Sequence, residues 1–314
     1  MKKRKKWKSH EGDILDSVGG YDIIACKECN YKHAVPIPTQ EQLVKFYQSE
    51  FYSLEKPAYI DRMIEDLEWW NLCYDDRYDS FEELLPKGGK KILDIGSGPG
   101  YFLNRGNIRG WKAYGIEPSL RAYEHSKKLG RLEIINDFFN EHTTLEVRDF
   151  DVIHMSDVLE HLPNPAGVIS LAHELLKPSG LLCIVLPNDY NPLQEVLTKI
   201  KGYEPWWVSP PQHINYFSFD SLEQLLERKG FSIVIKESTF PIDLFLLMGM
   251  NYVNNDSLGR ECHALRKEFE HTLNKGGKNN LKRQLYREMS KLNIGREIIM
   301  IGKKIRYRNE SKII

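Results

Sequence analysis

Residues 92–103 read ILDIGSGPGYFL, an apolar strand running into Asp94 and then Gly96, Gly98 and Gly100 on alternate positions. Glycines spaced this closely let a backbone turn sharply and press against a ligand, because glycine alone reaches positive φ without a Cβ clash. A second short strand, residues 112–116, ends in Glu117, twenty-one residues past Gly96. That carboxylate is placed to accept hydrogen bonds from a ribose diol. Strand, glycine turn and distant acid together predict a Rossmann-like nucleotide site in an α/β sheet.

Two common nucleotides fit poorly. Dinucleotide sites need G-x-G-x-x-G, and the third glycine position is Tyr101; no Gly-Lys-Ser/Thr follows to cradle a triphosphate. Asp94, Gly96, Gly98, Gly100 and Glu117 together resemble the class I methyltransferases that use S-adenosylmethionine (SAM). The resemblance implies that the loop, Ser97 included, backs the methionine part and that Asp94 shapes the loop or meets the ammonium. It further implies that Glu117, with Pro118 beside it, takes both ribose hydroxyls.

Further motifs follow in that family's order. Asp137 and Phe138 come just after a third strand at 132–135, where the resemblance puts contacts to adenine. A fourth strand at 150–155 leads into SDVLEHL (156–162), completed by Asn164 and Pro165, which resembles the family's E-H-L-x-N/D-P segment; Ser156 opens it. A helix over 166–176 and the turn KPSG (177–180) lead into a fifth strand at 181–186. The alternation predicts a seven-stranded, mostly parallel sheet with helices on both faces, its ligand bound beyond the carboxyl ends of the strands. A sixth strand is expected at 231–238, and residues 296–303 resemble the closing strand that family members insert antiparallel beside it. Between the two lies a helical insertion, 239–295, expected at the ligand end of the sheet as a lid or a homodimer surface.

The chain has 314 residues and no net charge, so no global field draws it to nucleic acid or an anionic membrane. The charge is uneven, with six Lys/Arg in residues 1–8, and 15 basic against 6 acidic residues from Arg260 onward. Such ends suit RNA contact or, more blandly, solvated faces. The apolar run 244–250 is too short to span a bilayer, and the basic start continues into SHEGDILDS without an apolar stretch. Five scattered cysteines argue against a disulfide framework, and a cytoplasmic location is expected.

Four segments surround or divide the sheet: a Cys-pair lead (1–40), a helical cap (41–85), the SAM-binding domain (86–303, containing the insertion) and a basic tail (304–314). In the cap a helix is expected over 41–51, followed by an amphipathic helix in the acidic stretch 61–83. In the lead, Cys26-x-x-Cys29-x-x-x-His33 has the spacing of half a zinc site, with His10 sixteen residues upstream as a fourth donor. Many sugar methyltransferases begin with a zinc-binding region whose second Cys pair precedes P-x-P and F-Y segments. Cys26 and Cys29 similarly precede Pro36-Ile37-Pro38 and Phe46-Tyr47, but the first Cys pair is missing. A structural zinc and a reduced, metal-free pair both stay open.

Methyl transfer from a sulfonium needs an acceptor held in line and, for an alcohol or ammonium, a base. The candidates are His213, in PPQHINYFS (210–218), and His161. Similar E-H-x-x-Y-F-S segments border the acceptor pocket of small-molecule and sugar methyltransferases. Here Gln212 replaces the usual Glu and no acidic orienter for His213 is evident; the bland alternatives are a helix cap for His213 and a structural hydrogen bond for His161. Tyr190, Trp206, Trp207 and Tyr216 are expected to stack on the acceptor, or else to fill a hydrophobic cap. The expected function is methylation of a small-molecule or saccharide acceptor. Alternatives are a tRNA or rRNA methyltransferase and a SAM-binding regulator without turnover; a nicotinamide dehydrogenase conflicts with Tyr101.

Overall fold

The computed structural model describes residues 3–45, 58–88, 90–130, 132–143 and 148–305. Phe46–Tyr47 of the zinc-region resemblance, the expected helix end at 51 and all but the first two residues of the basic tail fall outside these. The central sheet has strands β5 (Lys91–Ile95), β6 (Lys112–Ile116), β7 (Glu133–Ile135), β8 (Phe150–Ser156), β9 (Leu176–Pro187), β11 (Phe231–Ser238) and β12 (Glu297–Lys304). Their order is β11-β12-β9-β8-β5-β6-β7; β5 to β9 pair in parallel, and β12 runs antiparallel to both neighbours. The chain thus reverses its direction of travel across the sheet between β5 and β8, and a crevice opens at such a point. The fifth strand begins earlier than expected. Leu176 already pairs with Phe150, and a register shift absorbs residues 177–180, where Ser179 takes φ 64°.

Both faces of the sheet are covered, so β8 is buried from Phe150 to Met155 and β9 from Gly180 to Pro187; the β9 stretch reads as an apolar run, while Asp151 and His154 interrupt that of β8. Ile153, Met155, Leu182 and Ile184 face a core shared with α6 (Pro165–Leu175) and α8 (Phe219–Arg228). Ile92, Val152, Cys183 and Val185 face the other core, shared with α3 (Leu67–Leu84) and α4 (Tyr101–Ile108). Within α3 the buried residues Tyr74, Tyr78 and Phe81 recur at helical spacing, which fixes this face against the sheet. The acidity of α3 is answered inside the fold: Asp75 pairs with Arg105 and Arg109, Asp76 with Lys282, and Asp79 with Arg109.

The insertion forms α9 (Asp243–Leu247), α10 (Asp256–Lys275) and α11 (Asn279–Lys291). It docks beside α3 and against β11. Glu270 accepts hydrogen bonds from the Trp69 indole and from Tyr286 (2.6 Å), and Arg283 and Arg287 pair with Glu237. The basic excess after Arg260 is thereby partly spent on internal carboxylates.

The lead folds into an antiparallel sheet of β1 (Arg4–Trp7), β2 (His10–Val18), β3 (Tyr21–Cys26) and β4 (Lys32–Val35). Its fifth strand, β10 (Asn215–Tyr216), comes from the middle of the chain and pairs Asn215 with His33. The lead is therefore stitched to the segment carrying His213.

Candidate active site

A cavity of about 750 Å³ lies at the carboxyl ends of β5, β6 and β8. Asp94, Gly96, Ser97, Gly98, Glu117, Pro118, Phe138 and Ser156 line it, as do His161 and His213. Gly96 takes φ 74°, and a Cβ there would meet Val158 Cγ2 at 2.5 Å, so the turn and the segment after β8 close together only around glycine. Gly100 is not among the lining residues; it is the N-cap of α4, with φ 86°. Asp137 is not among the lining residues. Its Oδ1 accepts from the Phe138 N–H (2.7 Å), while Phe138 itself faces the cavity.

Glu117 is 4% exposed and bridges two backbone donors: Gly98 N–H to Oε2 at 2.7 Å and Ser119 N–H to Oε1 at 2.8 Å. A carboxylate has about four lone-pair positions, so one on each oxygen remains for a ligand. Burial pushes the Glu117 carboxyl up to about 7 against the opposing pull of those two amides. Asp94 Oδ1 lies 2.7 Å from Nδ1 of His154, which stacks on Phe102 at 4.0 Å. His154 is 1% exposed, and burial lowers its pKa; the neutral ring donates to Asp94 and fixes its orientation.

At the other end, the turn Leu159–His161 and the loop before β10 bring two histidines together. The rings of His161 and His213 stand edge to face at 5.0 Å, and Glu160, 2% exposed, brings a carboxylate oxygen within 4.8 Å of a nitrogen of each. His161 Nδ1 is 2.7 Å from the Gln212 carbonyl, and its Nε2 is 3.7 Å from Glu160 Oε1. His213 does not cap α8, since Ser218 does that with a capping box. The acidic neighbour that the sequence did not reveal is Asp189, buried just past β9, with Oδ2 3.9 Å from His213 Nδ1 and Oδ1 3.4 Å from Arg296. Burial, partly offset by Arg296, raises the Asp189 carboxyl to about 6.

A protein-family model described as a methyltransferase domain matches residues 72–236, from α3 through β11. The chain belongs to the class I SAM-dependent methyltransferases. Ubiquinone biosynthesis O-methyltransferases of Actinobacillus pleuropneumoniae and Photobacterium profundum are 36% and 34% identical to it over 103 and 97 residues. Those stretches are 30% and 29% of this chain, which spans only 44% and 41% of the length of these curated relatives. A similar solved structure is the 1,6-didemethyltoxoflavin-N1-methyltransferase of Burkholderia thailandensis, with a TM-score of 0.50 and 12% identity over 96% of this chain and 99% of that one. At that identity the likeness shows the fold alone.

Within this methyltransferase the four expected acceptor aromatics lie elsewhere. Tyr190, Trp206, Trp207 and Tyr216 do not line the cavity; they pack with Ile23 and Ala34 and fill the junction between the lead sheet and the catalytic domain. Tyr190 donates to Asp16 at 2.6 Å across that junction. The insertion 239–295 contributes no lining residue either; it ends just before Arg296, which does line the cavity. What the sequence reading missed is the contribution of α2 (Tyr59–Glu65) and α3: Tyr59, Met63, Tyr74 and Arg77 close one wall. Arg77 was signalled by its place as a lone cation within the apolar stripe Tyr74, Tyr78, Phe81.

His10, Cys26, Cys29 and His33 converge in the lead sheet, one ligand atom of each within 4.8 Å of the others. His10 Nδ1 is 3.6 Å from Cys26 Sγ and 3.4 Å from Cys29 Sγ. Tetrahedral zinc with bonds of about 2.3 Å to sulfur and about 2.05 Å to nitrogen separates such atoms by roughly 3.5 Å. His33 turns Nδ1 to the Ala34 carbonyl (3.0 Å), leaving buried Nε2 with no partner among the described residues. That is the arrangement a metal-bound imidazole adopts. No helix among the described residues is long and apolar enough to cross a membrane.

Proposed function

We propose that the protein transfers the methyl group of SAM to an oxygen of a small-molecule or saccharide acceptor. The observation that carries this reading is the two-ended lining of one cavity, with the glycine turn and Glu117 at one end and Glu160, His161 and His213 at the other. In this reading the ribose diol donates to the remaining lone pairs of Glu117. The methionine part lies along Gly96–Gly98 beside Asp94, and adenine lies against Phe138. The sulfonium loses its charge as the methyl leaves, so the protein's tasks are alignment and removal of the acceptor's proton. We assign proton removal to the Glu160–His161–His213 cluster, with Asp189 orienting His213. An oxygen acceptor is supported by the O-methyltransferase names of the curated relatives. An RNA acceptor is less supported, because Lys267, Lys282, Arg283 and Arg287 are paired with carboxylates.

We also propose structural zinc on His10, Cys26, Cys29 and His33, making residues 1–40 a metal-stapled appendage to the catalytic domain. Elemental analysis of purified protein is expected to find one zinc per chain; folded protein free of metal rejects it. For the activity, product formation is followed by mass spectrometry across phenolic and saccharide acceptors. His213→Ala is expected to abolish product while leaving SAM affinity intact, and undiminished turnover removes His213 from the mechanism.

A further inference from the structure

The insertion 239–295 gives the cavity no lining residue, yet the chain leaves it directly into Arg296, which lines the cavity and pairs with the acid beside His213. We propose that Arg296 is a positioning residue for methyl transfer: it holds Asp189 toward His213, and the insertion is the buttress that holds Arg296.

Three groups from three parts of the chain stand in a line. Arg296 Nη1 donates to Asp189 Oδ1 at 3.4 Å, and the other oxygen of that carboxylate lies 3.9 Å from His213 Nδ1. Asp189 is 3% exposed, so protein groups set its direction. Burial raises its carboxyl, and Arg296 is the strongest opposing pull. Gln194 hydrogen-bonds it, Asp243 on α9 repels its charge, and Lys32 on β4 attracts it. Tyr190 and Tyr216 face it as hydroxyls that burial keeps protonated. An ionised carboxylate accepts and does not donate. It therefore draws the Nδ1 proton of a neutral His213 and leaves the Nε2 lone pair for the acceptor.

The backbone around Arg296 is fixed on both sides. The Asn188 N–H donates to the Arg296 carbonyl at 3.0 Å, and Asn188 Nδ2 donates to the carbonyls of Asn293 (3.0 Å) and Gly295 (3.2 Å). Gly295 takes φ 137°, and a Cβ there would meet Ser238 Cβ at 2.5 Å, so the chain returns past the end of β11 only as glycine. The Glu297 N–H donates to Thr239 Oγ1 at 3.1 Å, which ties the exit of the insertion to its entrance. Inside the insertion, Asp243 is 1% exposed and accepts from Asn191 Nδ2 at 3.1 Å; its charge also acts on Arg296. Two buried carboxylates thus draw one guanidinium.

His213 is steadied from its other side. Asn215 Nδ2 donates to the carbonyls of Leu159 (3.1 Å) and Leu162 (2.7 Å), a clamp on the turn that carries Glu160 and His161. The Ile214 N–H donates to the Glu160 carbonyl at 2.8 Å. In the reaction, His213 Nε2 takes the proton of the acceptor's hydroxyl, and an oxygen lone pair forms the new O–C bond. The methyl C–S bond breaks with its electron pair left on sulfur, and Asp189 faces the imidazolium that results. The inference rests on the role given to His213 above.

The test is ¹⁵N NMR of full-length protein labelled at histidine and saturated with S-adenosylhomocysteine at pH 7.5, with His213 assigned by its loss in His213→Asn. Wild type is expected as the Nδ1–H tautomer. Arg296→Met and Asp189→Ala shift His213 toward Nε2–H, Arg296→Lys restores the wild-type pattern, and all keep their affinity for S-adenosylhomocysteine. With an acceptor from the mass-spectrometric survey, Arg296→Met lowers kcat about tenfold or more, part of the roughly 10²- to 10⁴-fold that a general base contributes. It adds no further loss to Asp189→Ala. A wild-type tautomer in Arg296→Met, or a further loss in the Asp189→Ala background, overturns the inference; the second result makes Arg296 an acceptor contact. The tautomer shift as expected, with no acceptor methylated, supports the positioning and removes the reading of His213 as base.

Discussion

Replacing Glu117 with Ala isolates the grip on the donor. In the wild type, Oε2 accepts from Gly98 N–H and Oε1 from Ser119 N–H, so a bound ribose adds one hydrogen bond per oxygen. Hydrogen bonds to a charged group contribute about 1.5–3 kcal/mol each. Losing two raises Kd by roughly 10²- to 10⁴-fold at 1.4 kcal/mol per decade. The same change strips the two amides of their acceptor, so the apo protein should also melt earlier. Calorimetry with S-adenosylhomocysteine and its 2′-deoxy analogue separates the two effects. The missing hydroxyl weakens binding to wild type, but adds no further loss in Glu117→Ala. A variant within about threefold of wild type, or an equal deoxy penalty in both proteins, refutes the ribose assignment.

Donor affinity should also depend on pH. With the Glu117 carboxyl at about 7 in the empty site, hydroxyl donors favour its ionised form, so SAM binding tightens as pH rises through 7 and then levels off. For folding the sign is opposite: a carboxyl raised from 4.5 contributes stability that is complete below 4.5 and lost as pH climbs through 7, worth roughly 3 kcal/mol. Apo melts across that window, with and without SAM, check both. Asn215→Ala releases the turn holding Glu160 and His161; kcat should fall while SAM affinity holds, and unchanged kcat argues against the clamp. Trp207→Ala opens a buried junction and should cost about 3–5 kcal/mol in denaturant melts without changing acceptor KM; a KM effect alone would return Trp207 to the acceptor site.

Much of the donor end was legible because its signals are local. The glycine turn, the buried strands and the acid after β6 each follow from spacing within one strand–turn unit. The metal cluster was half local: C-x-x-C-x-x-x-H is read directly, and His10 joins because the β2–β3 pairing, Gly12 opposite Cys26, carries it to the knuckle. The acceptor end was harder. Asp189, Asn215 and Arg77 arrive from three separate elements, and β10, only two residues long, has no periodicity to detect. The aromatics misled for a related reason. A cluster such as Tyr190, Trp206 and Trp207 looks the same in sequence whether it stacks on a substrate or seals a seam between two sheets.

Equilibrium binding of labelled SAM to the wild-type protein addresses the central claim most directly. The account predicts saturation at one molecule per chain, displaced by S-adenosylhomocysteine and indifferent to NAD. No saturable binding, or displacement by NAD, would contradict it.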